Sequence, residues 1–429
     1  MTPAPITAVI CAVLIALIPL AMAGLALMNS GMGRSRSAAH SLMTALTVAG
    51  VAAIAYVVCG FAWQSFSGRP AYALEAAGKQ WNWIGADRFF LSGLDFDGSP
   101  AGLAACFGVF AAALAACIPL GAGAERWRLA GAVASAAVLG GWTYPLFAHW
   151  AWGGGWLAQL GPNNALGIGF ADTGGAGAIQ ALGGLTALAI AWILGPRRGK
   201  YSPDNMPAAI PGHNSAFVLF GCLLALIGWT ALNGAGSILF YGVAPARLGL
   251  IAVNTLLGGG SALLVTALIT RARFARPDAS LSANGWISGL VASSASAPFL
   301  APAAALMVGI VAGALVPVCI EWFELRLGID DPAGAVAVHG VAGLWGLLAA
   351  GLFAHFPDAR PDQWIAQLAG IAALLGFIFP LTYGVNWILN RLIPYRVAPD
   401  GERQGLDLHE LGANAYPEAA GYPEDYIQR

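Results

Sequence analysis

Long apolar segments recur along the whole chain and are separated by short polar stretches. Each segment holds roughly twenty residues, the length of α-helix that crosses the ~30 Å hydrocarbon core of a bilayer. The pattern predicts eleven such helices, at about residues 4–28, 41–63, 101–121, 129–148, 174–195, 214–232, 248–269, 282–296, 301–320, 333–354 and 364–390. The eighth and ninth are the least regular, because the sequence SSASAP interrupts them. The predicted fold class is therefore an all-α polytopic membrane protein.

The composition supports a location in the lipid bilayer. Apolar residues make up 58% of the chain and charged residues 10%, whereas about a quarter of a soluble domain is charged. The formal net charge of −1 leaves no basic field for nucleic acid, so no such partner is expected. The six cysteines form no C-x-x-C pair, and we expect neither a metal site nor a cofactor. The spans contain no G-x-S-x-G or H-E-x-x-H sequence, which argues against an enzyme.

The distribution of basic residues predicts the orientation. Most of the 20 lysine and arginine residues, among them Arg126, Arg197 and Arg271, lie between predicted spans on one side of the membrane. Loops rich in lysine and arginine usually face the cytoplasm. We therefore expect the N-terminus outside and the C-terminus in the cytoplasm, which agrees with an odd number of spans.

Two polar pieces lie outside the predicted spans. The outer segment 64–100 carries Trp81 and Trp83 among charged residues and is expected to form a cap over an entrance. Residues 391–429 form a polar C-terminal tail, for which composition alone leaves a frayed, solvated segment as an alternative.

A repeated motif is the most informative feature of the chain. Residues 172–184 read DTGGAGAIQALGG and residues 331–343 read DPAGAVAVHGVAG, so both fit D-x-x-G-x-x-x-x-[Q/H]-x-x-x-G. The aligned pairs are Asp172 with Asp331 and Gln180 with His339. The first motif opens the fifth span and the second opens the tenth. Because an odd offset reverses orientation, two inverted five-helix repeats are predicted.

These repeats define the expected domain organisation. A transporter domain covers residues 1–390, with repeat one at about 4–195 and repeat two at about 214–354. The eleventh span, 364–390, follows the repeats, and the cytoplasmic tail, 391–429, completes the chain.

The motif places polar groups at two depths. Each aspartate occupies a helix N-cap position, where its carboxylate can accept free backbone N–H groups. Stabilising a helix end is the favoured role, and contact with substrate is the alternative. Gln180 and His339 follow eight residues later, about 12 Å into the span. Ionisable groups at this depth usually mark a pathway; a buried structural histidine and an interhelical glutamine bond are the alternatives.

The chain resembles the ammonium transporter family (Amt/Mep/Rh) over nearly its full length. The matching stretches are AHWAWGGGWL (148–157), ADTGGAGAI (171–179), PGHN (211–214), IGWTALNGAGS (227–237), AVNT (252–255), ANGWISGLVA (283–292), IDDPAGAVAVHGVAGLWG (329–346) and GLDLHELGANAY (405–416). The resemblance implies a homotrimer of eleven-span protomers, each with a pore for ammonium or ammonia, in the plasma membrane, here a bacterial inner membrane.

The resemblance also implies site residues. The family pore has two facing histidines, of which His339 matches the second while Gln180 stands at the first. The outer recruitment site of the family uses a tryptophan, a serine and a phenylalanine. These positions correspond to Trp152, to Ser237 and to Ala111, with Phe107 and Phe110 close by. The family's second gating phenylalanine corresponds to Leu232, which follows Trp229.

These departures leave three functions open. Without the stacked phenylalanines the outer constriction is expected to lose its apolar plug. A glutamine amide cannot take up a proton as imidazole does, so a two-site proton relay through Gln180 is broken. The alternatives to transport are a non-conducting ammonium sensor and a pore retuned to another small solute. Trp152 has its own alternative role, as an aromatic residue of the membrane interface.

The tail sequence GLDLHELGANAY extends the resemblance beyond the spans. In the family the tail docks on the cytoplasmic face and couples protomers, and signalling proteins of the PII type act on it. A docked tail is therefore expected here, with a PII-type protein as a possible partner.

Overall fold

The fold comes from a computed structural model, which describes residues 5–66, 72–357 and 361–416. The main elements, in chain order, are α1 (Pro5–Met32), α2 (Ser35–Gln64), β1 (Tyr72–Ala76), β2 (Lys79–Ile84), α3 (Pro100–Gly123), α4 (Leu129–Ala151), α5 (Ala176–Leu194), α6 (Ser215–Tyr241), α7 (Pro245–Phe274), α8 (Ala279–Ser293), α9 (Pro302–Leu327), α10 (Val336–Phe353) and α11 (Gln363–Leu392). A helix therefore lies at each position where the apolar pattern predicts a span.

Ten of these helices, all except α8, are long and apolar enough to cross a membrane. Helix α8 has 15 residues, which corresponds to about 22 Å. It ends at Ser293, the first residue of the SSASAP sequence. The carbonyls of Ala295 and Ser294 in this sequence accept backbone hydrogen bonds from Thr173 and Gly174, respectively. The irregularity predicted here thus shortens one helix, whereas α9 continues through an internal proline, Pro317.

The all-α prediction is wrong for the segment between α2 and α3. Strands β1 and β2 pair in an antiparallel hairpin. The two residues of the turn, Ala77 and Gly78, have φ values of 53° and 69°, and a two-residue turn with both φ values positive matches the twist of a hairpin. The sequence indicated only a polar segment here, because the strands are too short to give a periodic signal.

The hairpin holds the loop that follows α4. The side chain of Asn82 donates to the carbonyl of Gly154, and its backbone N–H donates to Gln159. The indole N–H of Trp150 donates to the carbonyl of Trp83, and the two rings are 4.9 Å apart. The hairpin therefore fixes the loop segment that carries Trp152.

Helices α5 and α10 run antiparallel and cross in close contact. A Cβ atom on Gly184 would lie 2.1 Å from the backbone nitrogen of Gly340, so the crossing requires glycine. Each helix begins with a π-helical turn, at Ala176–Ala181 in α5 and at Val336–Val341 in α10. Turns of this kind are frequent at functional sites. Here they carry the two polar residues of the repeated motif.

A network of buried ion pairs joins the loops at the end of the bundle that also carries the tail, called the tail side below. Arg197 donates to both carboxylate oxygens of Asp330 and to Glu125. Burial raises the pKa of Asp330, but Arg126 and Arg197 outweigh it and hold the pKa below its usual range. Paired charges can remain buried in this way. Glu125 also pairs with Arg34, so loops after α1, α3, α5 and α9 are connected.

The described part of the tail is docked on the tail side, so a frayed tail is excluded for these residues. Asp407 accepts the backbone N–H groups of Ala39 and His40 at the start of α2. Glu410 accepts the N–H of Leu129, which begins α4, and also contacts His40. Acidic side chains stabilise helix N-termini. The remaining tail residues of the prediction, 417–429, lie outside the described residues.

Candidate pore and substrate site

Gln180 and His339 meet at the crossing of α5 and α10. The Nδ1 atom of His339 lies 2.8 Å from Oε1 of Gln180, and the side chains are 4% and 0% exposed. An amide oxygen can only accept, so Nδ1 carries the proton and Nε2 of the imidazole is left as an acceptor. The amide nitrogen of Gln180 is buried and has no partner in the described part of the chain. The pair can therefore offer one donor and one acceptor to a small molecule.

An aromatic side chain of α6 lies close to this pair. The ring of Trp229 lies 6.3 Å from that of His339 at an angle of 30°. Leu232 follows three residues later, on the same face of the helix, and both side chains are fully buried. The two polar side chains thus have the Trp229 ring as an apolar neighbour from α6.

Three adjoining cavities lead from His339 to the tail side. The first, of about 10 Å³, is lined by His339 and Asn284. The second, of about 150 Å³, is lined by Asn284 and Asp331, and the third is an opening of about 670 Å³. Met32 lines all three. A single water needs roughly 10–15 Å³, so the cavity next to His339 has room for about one water, the least of the three.

The two motif aspartates cap the helices that carry the pair. Oδ2 of Asp172 accepts the N–H of Gly177 at 2.9 Å, and Oδ2 of Asp331 accepts the N–H of Val336 at 2.7 Å. Both bonds span five residues. Burial raises the pKa of each carboxyl to about 6, although the backbone N–H groups act to lower it. Asp172 thus orients the start of α5, and Asp331 does the same for α10 while lining the second cavity.

Trp152 lies in an aromatic cluster on the opposite side of the bundle from the tail. Its ring stacks on Phe240, with centroids 4.6 Å apart and planes 3° from parallel. Phe107 packs edge-on against both rings, at 5.8 Å and 5.3 Å. The indole N–H donates to the backbone carbonyl of Asp172 at 2.7 Å. The cluster is therefore attached to the loop that precedes α5. Trp152 is only 7% exposed.

The structure separates the residues expected for recruitment. Phe107 contacts Trp152, whereas Ala111 is a buried alanine one turn further along α3 and Phe110 is half-buried, without a ring contact to Trp152 in the described structure. Ser237 is buried in α6, where its hydroxyl donates to the carbonyl of Asn233. These positions bring one phenylalanine, not two, from α3 to Trp152.

Phe240 supplies a ring at Trp152 that the family resemblance did not assign. It lies on α6 three residues after Ser237, hence on the same helix face. That spacing was the available signal. It was missed because the expected phenylalanine position, Leu232, is two turns earlier.

Known proteins resemble this chain over most of its length. The family model described as Ammonium Transporter Family matches residues 7–416. The chain belongs to the ammonium transporter family. It is therefore a multi-pass membrane protein of a family of transporters. Relatives within the family include "Ammonium transporter Amt2" of Archaeoglobus fulgidus, 36% identical over 92% of this chain and 85% of the relative. The "Ammonium transporter" of Bacillus subtilis is 30% identical over 92% and 95%, respectively.

Solved structures of the family share the fold. The structure named "Sensor Amt Protein" has a TM-score of 0.84 and 28% identity, and the match covers 94% of this chain and 98% of that chain. Mep2 of Candida albicans has a TM-score of 0.78 and 25% identity, with coverage of 97% and 92%. The ammonium transporter fold thus extends over almost the whole chain.

Proposed function

We propose that the protein transports ammonium across the membrane, as ammonia or as ammonia plus a proton, through one pore in each protomer of a homotrimer. The observation that carries this proposal is the buried Gln180–His339 pair at the antiparallel crossing of α5 and α10. Cavities that share walls lead from this pair to one face of the molecule. Membership of the ammonium transporter family gives the solute.

We infer eleven crossings, arranged as two inverted repeats of five helices followed by α11. Helix α8 starts beside the end of α7 on the tail side and ends near Thr173 on the opposite side, so it completes one crossing despite its length. The tail side then faces the cytoplasm and the N-terminus lies outside, in a plasma membrane or bacterial inner membrane. The basic loops support this orientation.

The chemistry of the pore follows from the groups that line it. A cation that reaches the face of Trp152 gains about 0.5–2 kcal/mol, depending on desolvation. At the midpoint, ammonia can accept a hydrogen bond from the Gln180 amide and donate to Nε2 of His339. Ammonium has no lone pair and can satisfy only His339. The midpoint therefore favours ammonia, and Gln180 cannot pass a proton to His339 as a second histidine would.

The transport proposal is tested by methylammonium uptake into proteoliposomes. We expect saturable uptake that His339→Ala abolishes, because the substitution removes the acceptor at the midpoint. His355→Ala is the matched control, since His355 lies after α10, outside the cavities that lead from His339, and uptake should persist. Uptake no greater than in empty vesicles would contradict the proposal.

Gln180→His tests whether the glutamine limits proton transfer. An ammonium jump on a solid-supported membrane measures charge movement. A current that appears or grows in the variant identifies Gln180 as the limit, because imidazole restores a group that exchanges protons. An unchanged current would show that Gln180 does not limit charge movement.

A non-conducting ammonium sensor is the second candidate function. Two observations favour it: Phe240 covers the face of Trp152, and the docked tail contacts helix starts at α2 and α4. The similarity to the "Sensor Amt Protein" structure adds support. Ammonium-dependent binding of a cytosolic partner of the PII type, without flux, is the expected result for a sensor. A clear transport current would exclude it.

A further inference from the structure

An aromatic ridge runs along α11 and ends at an arginine on the tail side. Phe379, Tyr383, Trp387 and Arg391 follow one another at intervals of four residues in the α-helical part of α11, Phe379–Leu392. Residues at this interval form a continuous ridge that runs obliquely along the surface of a helix. Trp192 of α5 packs beside it. These side chains together are called the α11 ridge below.

The rings of the α11 ridge form an apolar surface that the described protein leaves open. The ring of Trp192 lies 5.8 Å from that of Phe379 and 6.3 Å from that of Tyr383. Even so, Trp192 is 47% exposed, Tyr383 37% and Trp387 45%. Helix α11 is long and apolar enough to cross a membrane. The surface therefore faces lipid or a second protein chain.

The α11 ridge has the length of one lipid leaflet. Phe379 and Arg391 are twelve residues apart, which corresponds to about 18 Å along the helix. One leaflet contributes about half of the ~30 Å hydrocarbon core. Helix α11 ends on the tail side, where the carbonyl of Tyr395 accepts the backbone N–H of Arg128. Arg391 therefore lies near the headgroups of that leaflet, which the long side chain of an arginine can reach from a helix end.

Arg391 carries a positive charge that no described carboxylate neutralises. Its guanidinium lies 4.7 Å from the centroid of the Trp387 ring, and it forms no ion pair within the described ranges. The ring holds the cation through its face, so the N–H groups of the guanidinium have no oxygen acceptor in the described structure. A planar guanidinium matches a phosphate and can bind it through two parallel hydrogen bonds. The tail-side end of the ridge is thus prepared for a phosphate group.

We propose that the α11 ridge binds one anionic phospholipid of the leaflet on the tail side. Its phosphate pairs with Arg391, and one acyl chain lies along the rings of Trp387, Tyr383 and Trp192. A phospholipid supplies both an anion and an apolar chain that starts next to it, which is the order of groups along the ridge. A zwitterionic lipid fits less well, because its own ammonium group lies close to the phosphate and opposes Arg391. The inference does not depend on the solute that crosses the pore.

The test is native mass spectrometry of the full-length protein in detergent, which counts bound lipids and protein chains in the same complex. Phosphatidylglycerol is titrated, and phosphatidylcholine with the same acyl chains is the reference. We expect phosphatidylglycerol to bind about fivefold more tightly, the gain from one basic residue at an anionic membrane surface. Equal affinity for both lipids would overturn the proposal and leave ordinary solvation by lipid.

Arg391→Gln should remove one tightly bound phosphatidylglycerol from each protein chain, while binding of phosphatidylcholine stays unchanged. Arg326→Gln is the matched control. Arg326 lies in the last turn of α9 and follows an exposed tryptophan, Trp322, by four residues. The next residue of that row is Val318, so an aromatic ridge does not continue from it. The control should keep its full number of bound lipids. An equal loss in both variants would overturn the site, because net charge alone would then explain the binding.

Trp387→Leu tests the ring without changing the charge. The substitution keeps an apolar side chain on the membrane surface and removes the aromatic face under Arg391. We expect phosphatidylglycerol to bind about two- to fivefold more weakly, the loss of one exposed cation–π contact. Unchanged binding in this variant would overturn the assignment of the lipid to the ridge.

The same spectra distinguish a lipid from a second copy of the chain as the occupant of the α11 ridge. If lipid is the occupant, Arg391→Gln changes the number of bound lipids and leaves the number of chains in the complex unchanged. A complex that loses chains in Arg391→Gln and keeps its lipids per chain would overturn the proposal, since the ridge would then be a contact between protomers.

Discussion

At the residue scale, Gln180 and His339 each use one hydrogen-bonding group on the other. His339 donates to Gln180, which leaves the Gln180 amide nitrogen and the second imidazole nitrogen for a solute. Around them the structure is apolar, with Trp229 against the imidazole. In such surroundings an unmet hydrogen bond is costly. A small molecule with both a lone pair and an N–H group is therefore preferred over an apolar gas.

The residue-scale prediction concerns Phe240, which covers the face of Trp152. Displacing a stacked ring costs about 0.5–1.5 kcal/mol, so Phe240→Ala should lower the half-saturating methylammonium concentration by about two- to tenfold. The measurement is uptake at a series of concentrations. Phe110→Ala is the control, because Phe110 has no described ring contact with Trp152, and it should leave uptake unchanged. Weaker apparent affinity in Phe240→Ala would mean that the ring belongs to the recruitment site.

At the element scale, close contact between α5 and α10 brings the two halves of the motif together. Both helices start with an aspartate cap and a π-helical turn, and they cross where Gly184 faces Gly340. Small residues at a crossing allow helices in a membrane to approach closely. The distance between Gln180 and His339 is thus set by backbone contact between the helices.

Gly184→Ala tests that contact. The added Cβ would lie 2.1 Å from the nitrogen of Gly340, and overpacking of this kind costs about 1–3 kcal/mol. We expect a lower melting temperature in detergent together with reduced uptake, because the helices must separate. In Gly260→Ala, a Cβ on α7 meets no atom within 4 Å, so this control should keep stability and uptake. Unchanged uptake and melting in Gly184→Ala would show that the crossing tolerates a larger spacing.

At the scale of the whole molecule, the tail binds backbone N–H groups at two helix starts and in one loop. Asp407 binds the start of α2, Glu410 binds the start of α4, and Glu402 accepts the N–H of Arg198 after α5. For Glu410, burial raises the pKa, but the hydrogen bonds from His40 and Leu129 outweigh it, and the net pKa is lowered. The carboxylate is therefore ionised and available as a cap at neutral pH.

Asp407→Ala should release the tail. Loss of an N-cap costs about 0.5–2 kcal/mol, so exchange of the tail amides should accelerate by about two- to thirtyfold. Asp400→Ala is the matched control, since Asp400 is exposed at the side chain and, among the described residues, its ion pair is with Arg403, three residues away. The measurement is the hydrogen–deuterium exchange rate of the tail amides in both variants. Equal exchange in both would show that the tail is held by other contacts.

The order of the helices could be predicted from the sequence. An apolar helix lies at each of the eleven predicted positions, because a hydrocarbon core leaves a chain few ways to satisfy its backbone hydrogen bonds. The length of α8 and the hairpin Tyr72–Ile84 could not be predicted. Short strands carry little periodicity, and the end of α8 depends on the loop around Thr173.

Part of the site could also be predicted from the sequence, since the repeat pairs Gln180 with His339 and two odd-spaced copies must face in opposite directions. Only the tertiary structure brought Phe240 to Trp152 and Asp407 to the start of α2. These contacts join residues that are far apart in the chain, and no local pattern records which helix faces will meet. The apolar lengths and the repeat thus determined the membrane class of the protein and the pairing of Gln180 with His339, whereas packing between distant helices determined the aromatic cluster at Trp152 and the docking of the tail.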